Sequence, residues 1–600
     1  MNVLFIVIGA GLLLLIAYFT YGRFLSKKVF QLDDTKITPA EEINDGQDYV
    51  PAKKGMLLGQ HFSAIAAAGP INGPILASVM FGWAPAILWV LIGSIFIGGT
   101  HDMGSLVASI RHKARSITEV IKVNVSSRAW ILFMIFVWIA LVYVIIAFTD
   151  ITASSFVGLV TLESGETVSG GAIASSSIMY LILPIIMGFL MRFAKLKEGM
   201  ALLIFLPLVG IAIWAGKFLP VTLPIADLAS GQKAWGVIIL LYCLVASVLP
   251  MWSLLQPRGA LGGYLLYASL IIAAIGLIFG GYTIQYPAFV NLGPDAAAGS
   301  SFWLPMFPVL FITIACGACS GFHALVSSGT TSKQLKKESD AQPVGYGAML
   351  LEGMVAVVSI ACVMILAKDS AMISRAPNFI YASGIGRFME LLGISATFGI
   401  TFGLMAFTTF VYDTLDVCTR LGRYIVEELT GLKDWKGKLL GTVLTAGVPV
   451  FFIFQTMTDP AGNPVPAWKI FWGTFGASNQ LLAALALIGV TIWLLNTRKN
   501  SKVWLAAFIP AIVMFTMSNW ALVLAVYDGW VLDKGHPSVP WVSLVLIVLS
   551  VLVAVETTYA YYSKKIRAKK MVDSQELAEA YQVEYIVKKV TEKSDKNPTN

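Results

Sequence analysis

The chain is poor in charged residues. Only 13% of its 600 residues are Asp, Glu, Lys or Arg, whereas 57% are hydrophobic, and the mean hydropathy is +0.77. Because soluble domains carry roughly a quarter charged residues, this composition excludes a soluble protein and indicates an all-α polytopic membrane protein in contact with the lipid bilayer. The net charge of +8 does not indicate nucleic-acid binding, because the basic residues lie in short loops.

Cysteine is also scarce. The five cysteines, Cys243, Cys316, Cys319, Cys362 and Cys418, all lie in apolar segments, which predicts packing thiols rather than a disulfide framework. Cys316 and Cys319 have CxxC spacing, but the sequence offers no second ligand pair. We therefore expect no metal and no cofactor beyond a coupling ion.

Motifs for ATP hydrolysis and zinc hydrolysis are missing. The chain has no Walker motif and no H-E-x-x-H, which argues against ATP-driven transport by this chain alone. The longest polar pieces, 25–55 and the tail after Tyr562, are too short for a soluble enzyme. Two alternatives remain open. One is an intramembrane metal-dependent enzyme, and the other is a nutrient sensor, which would need a signalling domain.

Long apolar stretches dominate what is present. Roughly 20 apolar residues cross a bilayer as a helix. The first stretch lacks a basic leader and a cleavage site, so we expect it to stay as a membrane helix. We predict about 15 spans, near residues 3–22, 57–79, 83–109, 129–149, 176–193, 199–217, 235–252, 260–281, 304–328, 345–367, 394–422, 438–457, 468–495, 504–526 and 539–562.

Lys and Arg follow every odd-numbered predicted span, and the alternate loops are poor in them. Arg258, for example, is the basic residue after the seventh span, and Lys333 belongs to the loop after the ninth. Because short cytoplasmic loops carry an excess of Lys and Arg, this alternation predicts an outside N-terminus and a cytoplasmic C-terminus. The membrane would be the cytoplasmic (inner) membrane.

Two Gly-Pro pairs interrupt the second span. Gly69-Pro70 and Gly73-Pro74 lie four residues apart, and both residue types disfavour a regular helix. Backbone groups freed inside a membrane must be buried in protein or line a polar cavity. Broken helices of this kind bind substrate and coupling ion in many secondary transporters. A simple proline kink is the alternative.

The ninth span contains a second interruption, at Gly317 and Gly321 beside His323. It runs opposite to the second span, as an inverted repeat requires, although small residues could merely permit close packing. We predict a 5+5 inverted-repeat, LeuT-like core with extra helices. The predicted division is an extra N-terminal helix (1–24), a cytoplasmic segment (25–55), the first repeat half (56–217), two inserted helices (235–281), the second half (304–495), two C-terminal helices (503–562) and a cytoplasmic tail (563–600).

Polar residues on the eleventh span form one helical stripe. Thr409, Asp413, Asp416 and Arg420 are spaced 4, 3 and 4 apart. We expect Asp416 and Arg420 to form an ion pair, and Asp413 to carry a proton or cation, since acids inside a membrane are costly and by default functional. Glu352 should face the protein interior for the same reason.

Several motifs resemble the carbon starvation protein A family. They are Asp45 to Pro51, Gly59 to Pro74, Gly99-Thr100-His101-Asp102, Ser320 to His323, Ser328 to Gln334, Thr408-Thr409 and Phe475 to Ala483. The family commonly has two histidines where this chain has Gln60-His61. The resemblance implies a secondary active transporter of the amino acid/polyamine/organocation superfamily. Such a protein takes up pyruvate with protons, or small peptides, during carbon starvation.

The predicted sites follow from the interruptions, the buried polar groups and this resemblance. A small carboxylate nutrient would bind between the two interruptions, and the coupling ion would be a proton or Na⁺. Oligomeric state is left open. The predicted substrate-binding residues are His61, Gly69, Asn72, Gly73, Gly317, Ser320, Gly321, His323, Asn479 and Gln480. The predicted ion-coupling residues are Thr408, Thr409, Asp413, Glu352, His101 and Asp102.

Overall fold

Helices make up nearly all regular structure in the described part of the chain. The computed structural model describes residues 2–46, 48–66, 68–161, 167–225, 227–290, 306–432, 434–455, 465–498, 501–533 and 536–563. Within those residues a single short hairpin pairs strand β1 (Leu159–Thr161) with β2 (Thr167–Ser169). The predicted tail, from residue 564 onward, lies outside the described residues.

The α-helices follow one another with short connections, some of which are π or 3₁₀ turns. In chain order they are α1 (Val3–Phe19), α2 (Tyr21–Phe24), α3 (Pro39–Ile43), α4 (Lys54–Ile65), α5 (Gly69–Phe81), α6 (Trp83–Ile92), α7 (Gly99–Ile110), α8 (Ile117–Asn124), α9 (Ser127–Ser154), α10 (Gly170–Phe193), α11 (Glu198–Gly216), α12 (Leu228–Val248), α13 (Leu255–Gly280), α14 (Val309–Thr313), α15 (Phe322–Val326), α16 (Ala348–Met364), α17 (Pro377–Glu390), α18 (Ala396–Thr430), α19 (Trp435–Phe454), α20 (Ala467–Thr497), α21 (Leu505–Trp530) and α22 (Ser538–Ser563).

Polar side chains cap several helices at the N-terminus. The side chains of Asn2, Ser126, Asp227, Ser395 and Asp434 each accept a hydrogen bond from a main-chain N–H in the first turn of the following helix. The first turn of a helix has no main-chain partner for these donors. These caps therefore fix where α1, α9, α12, α18 and α19 begin.

The prediction of a polytopic helical membrane protein is confirmed. Among the described residues, 13 continuous helical segments are long and apolar enough to cross a membrane, and α4 with α5 forms one further, bent pair. The predicted span at 304–328 is not a continuous helix, because only α14 and α15 are α-helical there. Helix α17 was not among the predicted spans.

The central helices are much more buried than the peripheral ones. In the most apolar stretch of α18, 94% of the residues are buried, compared with 28% in that of α1. Exposed leucines on α1, such as Leu12 and Leu13, fit a surface that faces lipid. The polar residues of interest thus lie in the middle of the bundle. The inverted repeat and the boundaries of the predicted divisions stay predictions.

Candidate functional site

The two interruptions predicted from glycine and proline exist, and they touch each other. Helix α4 ends at Ile65 and α5 begins at Gly69 with a bend of 44°. Between α14 and α15 the chain is not helical, and Gly317 has a φ of +87°. A Cβ at Gly73 would collide with the carbonyl oxygen of Thr313, and one at Gly69 with Cys316. The main chain of the first interruption therefore packs directly against the main chain at Thr313 and against the side chain of Cys316.

A buried cluster of two histidines and two acids adjoins the second interruption. We call His101, Asp102, His323 and Glu352 the His–Glu cluster; none of the four has solvent-exposed surface. Asp102 contacts both histidines, at 2.7 Å to His101 Nδ1 and 2.9 Å to His323 Nδ1. His323 Nε2 lies 3.3 Å from Glu352 Oε2. The structure thus joins one predicted substrate-binding residue with three predicted ion-coupling residues.

Glu352 also anchors the interruption itself. Its Oε1 accepts a hydrogen bond of 2.9 Å from the main-chain N–H of Gly317. Helix α16 therefore supplies a partner for a backbone group that no helix satisfies, as burial of a polar group requires. The expectation that Glu352 faces the protein interior is confirmed.

A second charged cluster lies between α13 and α18. We call Arg258, Asp413 and Asp416 the Arg258 cluster; all three are buried. Arg258 Nε lies 2.6 Å from Asp413 Oδ1, and Nη1 contacts Asp416. Tyr242 donates a hydrogen bond of 2.9 Å to Asp416, and Ser63 of α4 donates to Asp413. With both acids ionised, the cluster carries one net negative charge.

This arrangement corrects the predicted ion pair between Asp416 and Arg420. Arg420 instead donates to the main-chain oxygens of Ala246 and Leu249, at 3.0 and 2.6 Å. Arg258 does not lie in a loop either, because it is in the first turn of α13 and fully buried. Asp416 therefore pairs with the buried Arg258 instead of Arg420, the partner that helical spacing alone predicts.

His61 lies beside a small cavity between the two interrupted segments and α18. Gln60, His61, Thr331 and Asp413 are among the lining residues, and the cavity has room for about one water molecule. His61 Nδ1 and Thr331 Oγ1 are 2.8 Å apart. His61 Nε2 and Gln60 Oε1 have no hydrogen-bond partner within the described residues. Both residues thus border a space that can hold a water molecule.

A larger cavity lies next to it, at the end of the bundle where the basic loops are. Its volume is about 660 Å³, and its walls include Arg115, Lys122 and Lys333. Ser328 and Gly329 line this cavity, and the next residues along the chain, Thr330 and Thr331, line the small one. One turn of chain therefore separates the large cavity from His61.

Asn479 and Gln480 tie the second interruption to α20. Asn479 Oδ1 accepts from the N–H of Phe322 and Nδ2 donates to Ser320, both at 2.9 Å. Gln480 donates to the carbonyl of Phe311 at 2.5 Å. These contacts give both residues a positioning role. Asn72 differs, because it is fully buried and neither of its amide atoms has a hydrogen-bond partner in the described region.

Thr408 and Thr409 lie away from the first interruption. Thr408 is 2.9 Å from Ser177 of α10, and Thr409 donates to the sulfur of Met405 at 3.2 Å. The hydroxyl that reaches the interruption is that of Thr414, which donates to Ala64 O at 2.9 Å. Helix α18 thus packs against the interrupted segment, but one and a half turns farther along than the predicted pair. The ion-coupling role of Thr408 and Thr409 stays a prediction.

Comparison with known proteins identifies the family. The family model described as Carbon starvation protein CstA matches residues 2–380 and 367–521. A peptide transporter CstA of Helicobacter pylori is 32% identical over 88% of this chain and 82% of its own length. The chain belongs to the CstA family.

Two further relatives carry different substrate names. A peptide transporter CstA of Bacillus subtilis is 32% identical over 87% of this chain and 90% of its own length. A pyruvate/proton symporter BtsT of Escherichia coli is 29% identical over 88% of this chain and 82% of its own length. Among solved structures, a manganese transporter of Eremococcus coleocola shares 14% identity and a TM-score of 0.45 over 87% and 98% of the two chains, a likeness too weak to support any inference about this one.

Membership of the CstA family confirms a transporter rather than an enzyme. The residues that sequence reasoning missed are those whose partners lie far along the chain. Arg258 was assigned to a loop, and Ser63 lies in the quoted Gly59 to Pro74 motif without a stated role. Thr414 stands directly after Asp413 in the stripe on α18, so its hydroxyl could have been included by position. Cys316 was considered only as part of a CxxC pair.

Proposed function

We propose that this CstA-family protein imports a small carboxylate nutrient, pyruvate or a small peptide, across the cytoplasmic membrane by ion-coupled symport. The contact between two interrupted helices, with buried ionisable clusters on either side, is the observation that carries the proposal. Interrupted helices supply main-chain groups for substrate and ion. The printed names of the peptide and pyruvate relatives support the substrate class.

The orientation of the basic loops supports import from outside to inside. If these loops face the cytoplasm, the N-terminus is outside and the cavity of about 660 Å³ opens inward. Its size suits a small organic ligand. The described conformation is then one that can release substrate to the cytoplasm. The inverted repeat of 56–217 and 304–495 belongs to the same proposal.

The carboxylate would bind where the interruptions meet. Asn72, in the first turn of α5, has an amide group with no partner among the described residues. Leaving such a group buried and unsatisfied costs about 1–3 kcal/mol, a cost that a bound carboxylate would remove. Gly69, Gly73, Gly317 and Gly321 let neighbouring segments approach the main chain closely there, while Ser320, Asn479 and Gln480 hold the second interruption in position.

The coupling ion would be a proton carried by the Arg258 cluster. Two carboxylates share one guanidinium in a site without solvent, and an uncompensated charge in such a site is costly. Uptake of one proton by Asp413 or Asp416 makes the cluster neutral. Asp413 contacts Ser63 of the interrupted helix and lines the His61 cavity, so protonation would alter contacts beside the substrate site. Na⁺ at hydroxyl and carbonyl oxygens is the alternative.

Transport by purified protein tests this function. Full-length protein in proteoliposomes would be given labelled pyruvate or a labelled dipeptide, with a proton gradient, a sodium gradient or neither. We expect accumulation of one substrate class with the proton gradient alone. Accumulation with sodium alone would refute proton coupling. Absence of both uptake and counterflow for both classes, in protein that is monodisperse, would refute the substrate class.

A further inference from the structure

Three side chains converge on one point beside the second interruption. One ligand atom from each of Cys316, His323 and Glu352 lies within 4.8 Å of the other two, and all three residues are buried. They come from the interruption itself, from α15 and from α16. Ligand atoms around one tetrahedral zinc ion, at bonds of 2.0–2.3 Å, are separated by about 3.5 Å. Small side-chain adjustments would therefore bring the three atoms to bonding distance of a common ion.

The second polar atoms of His323 and Glu352 are already held by the protein. His323 Nδ1 is bonded to Asp102, whose second oxygen contacts His101. Glu352 Oε1 accepts from Gly317 N–H, and the Asn479 amide lies 3.5 Å from Cys316 Sγ. A metal-binding histidine usually donates its other N–H to a carboxylate, which fixes its tautomer. The pair of Asp102 and His323 has that arrangement.

Two of the atoms near the common point lack hydrogen bonds, whereas Cys316 Sγ accepts one from the Asn479 amide. His323 Nε2 and Glu352 Oε2 are fully buried and have no hydrogen-bond partner within the described residues, although they lie 3.3 Å apart. A simple ion pair would explain two of the atoms but not the thiol beside them. A thiolate, an imidazole and a carboxylate are together the ligand types that bind Zn²⁺.

We propose that Cys316, His323 and Glu352 bind a resident Zn²⁺ ion, with Asp102 orienting His323. The ion would connect the second interruption to α15 and α16. Three protein ligands leave one tetrahedral position, as in zinc sites that bind a further small oxygen ligand. Motif spacing does not indicate this ligand set, because its members are 7 and 29 residues apart in sequence.

Metal analysis of the full-length protein tests the site. Protein purified in detergent from zinc-supplemented cells, in buffers without chelator, would be analysed by plasma mass spectrometry. We expect about one zinc per chain. Cys316→Ser, His323→Gln and Glu352→Gln should each reduce zinc content at least roughly tenfold, and Asp102→Asn should weaken affinity roughly 10–100-fold.

Cys319→Ser is the matched control, because Cys319 is a buried thiol of the same segment outside the ligand group, and it should retain zinc. Cobalt gives a second measurement. Co²⁺-loaded protein should show a thiolate charge-transfer band that disappears in Cys316→Ser and persists in Cys319→Ser.

Metal-free wild-type protein that also fails to bind added Zn²⁺ or Co²⁺ would refute the site, as would equal zinc in wild type and Cys316→Ser. If the variants do not elute as monodisperse protein, the Co²⁺ spectrum of the wild-type protein tests the site alone. Lack of a thiolate band in that spectrum would refute it. These readouts do not involve transport, so the zinc site and the proposed function can fail independently.

Discussion

The two buried clusters differ in the positive charge that balances their buried acids. The Arg258 cluster contains a guanidinium, which stays protonated under all physiological conditions, so its positive charge is fixed. The described residues show no Lys or Arg in contact with the His–Glu cluster, where only histidines can supply positive charge. The Arg258 cluster can therefore change its charge only by protonation of Asp413 or Asp416. The His–Glu cluster can change its charge at any of its two histidines and two acids, or it can bind a cation.

Each cluster is also attached to a different interruption. Ser63 connects the Arg258 cluster to α4, just before the first interruption. Gly317 N–H and His323 connect the His–Glu cluster to the second interruption. This division suggests separate tasks, with proton coupling at the first cluster and a metal-stabilised structure at the second. The predictions below test that separation.

Removal of the fixed positive charge should have the largest effect. Arg258→Met leaves two buried carboxylates without their cation, and loss of one partner from a buried pair costs about 3–5 kcal/mol. We expect little monodisperse protein by fluorescence-detected gel filtration. The triple variant Arg258→Met/Asp413→Asn/Asp416→Asn removes all three charges and should restore most of the folded yield. Equal yields for the single and triple variants would contradict the charge argument.

Neutralisation of one acid should abolish coupling but preserve the fold. Asp413→Asn leaves Asp416 paired with Arg258, so the cluster is neutral without a proton. We expect proton-driven accumulation to fall at least roughly tenfold, a coupling of more than about 1.4 kcal/mol, whereas counterflow continues. Proteoliposome uptake with and without a pH gradient measures both. Undiminished accumulation would exclude Asp413 as the proton carrier.

Neutralisation in the His–Glu cluster should cost less stability. Glu352→Gln keeps an oxygen that can accept from Gly317 N–H, and the histidines can become neutral in response. We expect a loss of about 1 kcal/mol or less, measured as a small shift in thermal unfolding of metal-free protein. A loss as large as that of Arg258→Met would show that the two clusters do not differ in this way.

Loss of one hydroxyl beside the first interruption should also have only a small effect on stability. Thr414→Val removes the hydrogen bond to Ala64 O, worth about 0.5–1.5 kcal/mol. We expect a clear decrease in uptake, and a larger one than for Thr408→Val/Thr409→Val, whose hydroxyls contact Ser177 and Met405 rather than the interrupted segment. A larger decrease in uptake for Thr408→Val/Thr409→Val than for Thr414→Val would instead support the predicted threonine pair as the ion site.

Much of the fold could be predicted because the physical signals are local. A span needs only a sufficient run of apolar residues, and an interruption needs only Gly and Pro within it. The interruption of the span at 304–328 was predicted in this way from Gly317 and Gly321, whereas the positive φ of Gly317 is visible only in the structure. Helix α17 was missed because Asn378, Gly384 and Arg387 lower its apolar content.

The partners of the site residues could not be predicted because they depend on packing between distant segments. Asp416 lies one helical turn from Arg420, yet it pairs with Arg258, 158 residues away. His323 and Asp102 are 221 residues apart in sequence. A resemblance between sequences marks such residues as a set, but only the three-dimensional arrangement tells which of them touch.

The contact between the interruptions includes two glycines that leave no room for a side chain. An added Cβ would lie far inside van der Waals distance of the carbonyl oxygen of Thr313 at Gly73, and of the Cβ of Cys316 at Gly69. Alanine at either position would push the two interrupted segments apart, because main-chain atoms and a Cβ atom cannot turn aside as the end of a flexible side chain can. The distance between the two interruptions is thus set by the absence of two methyl groups.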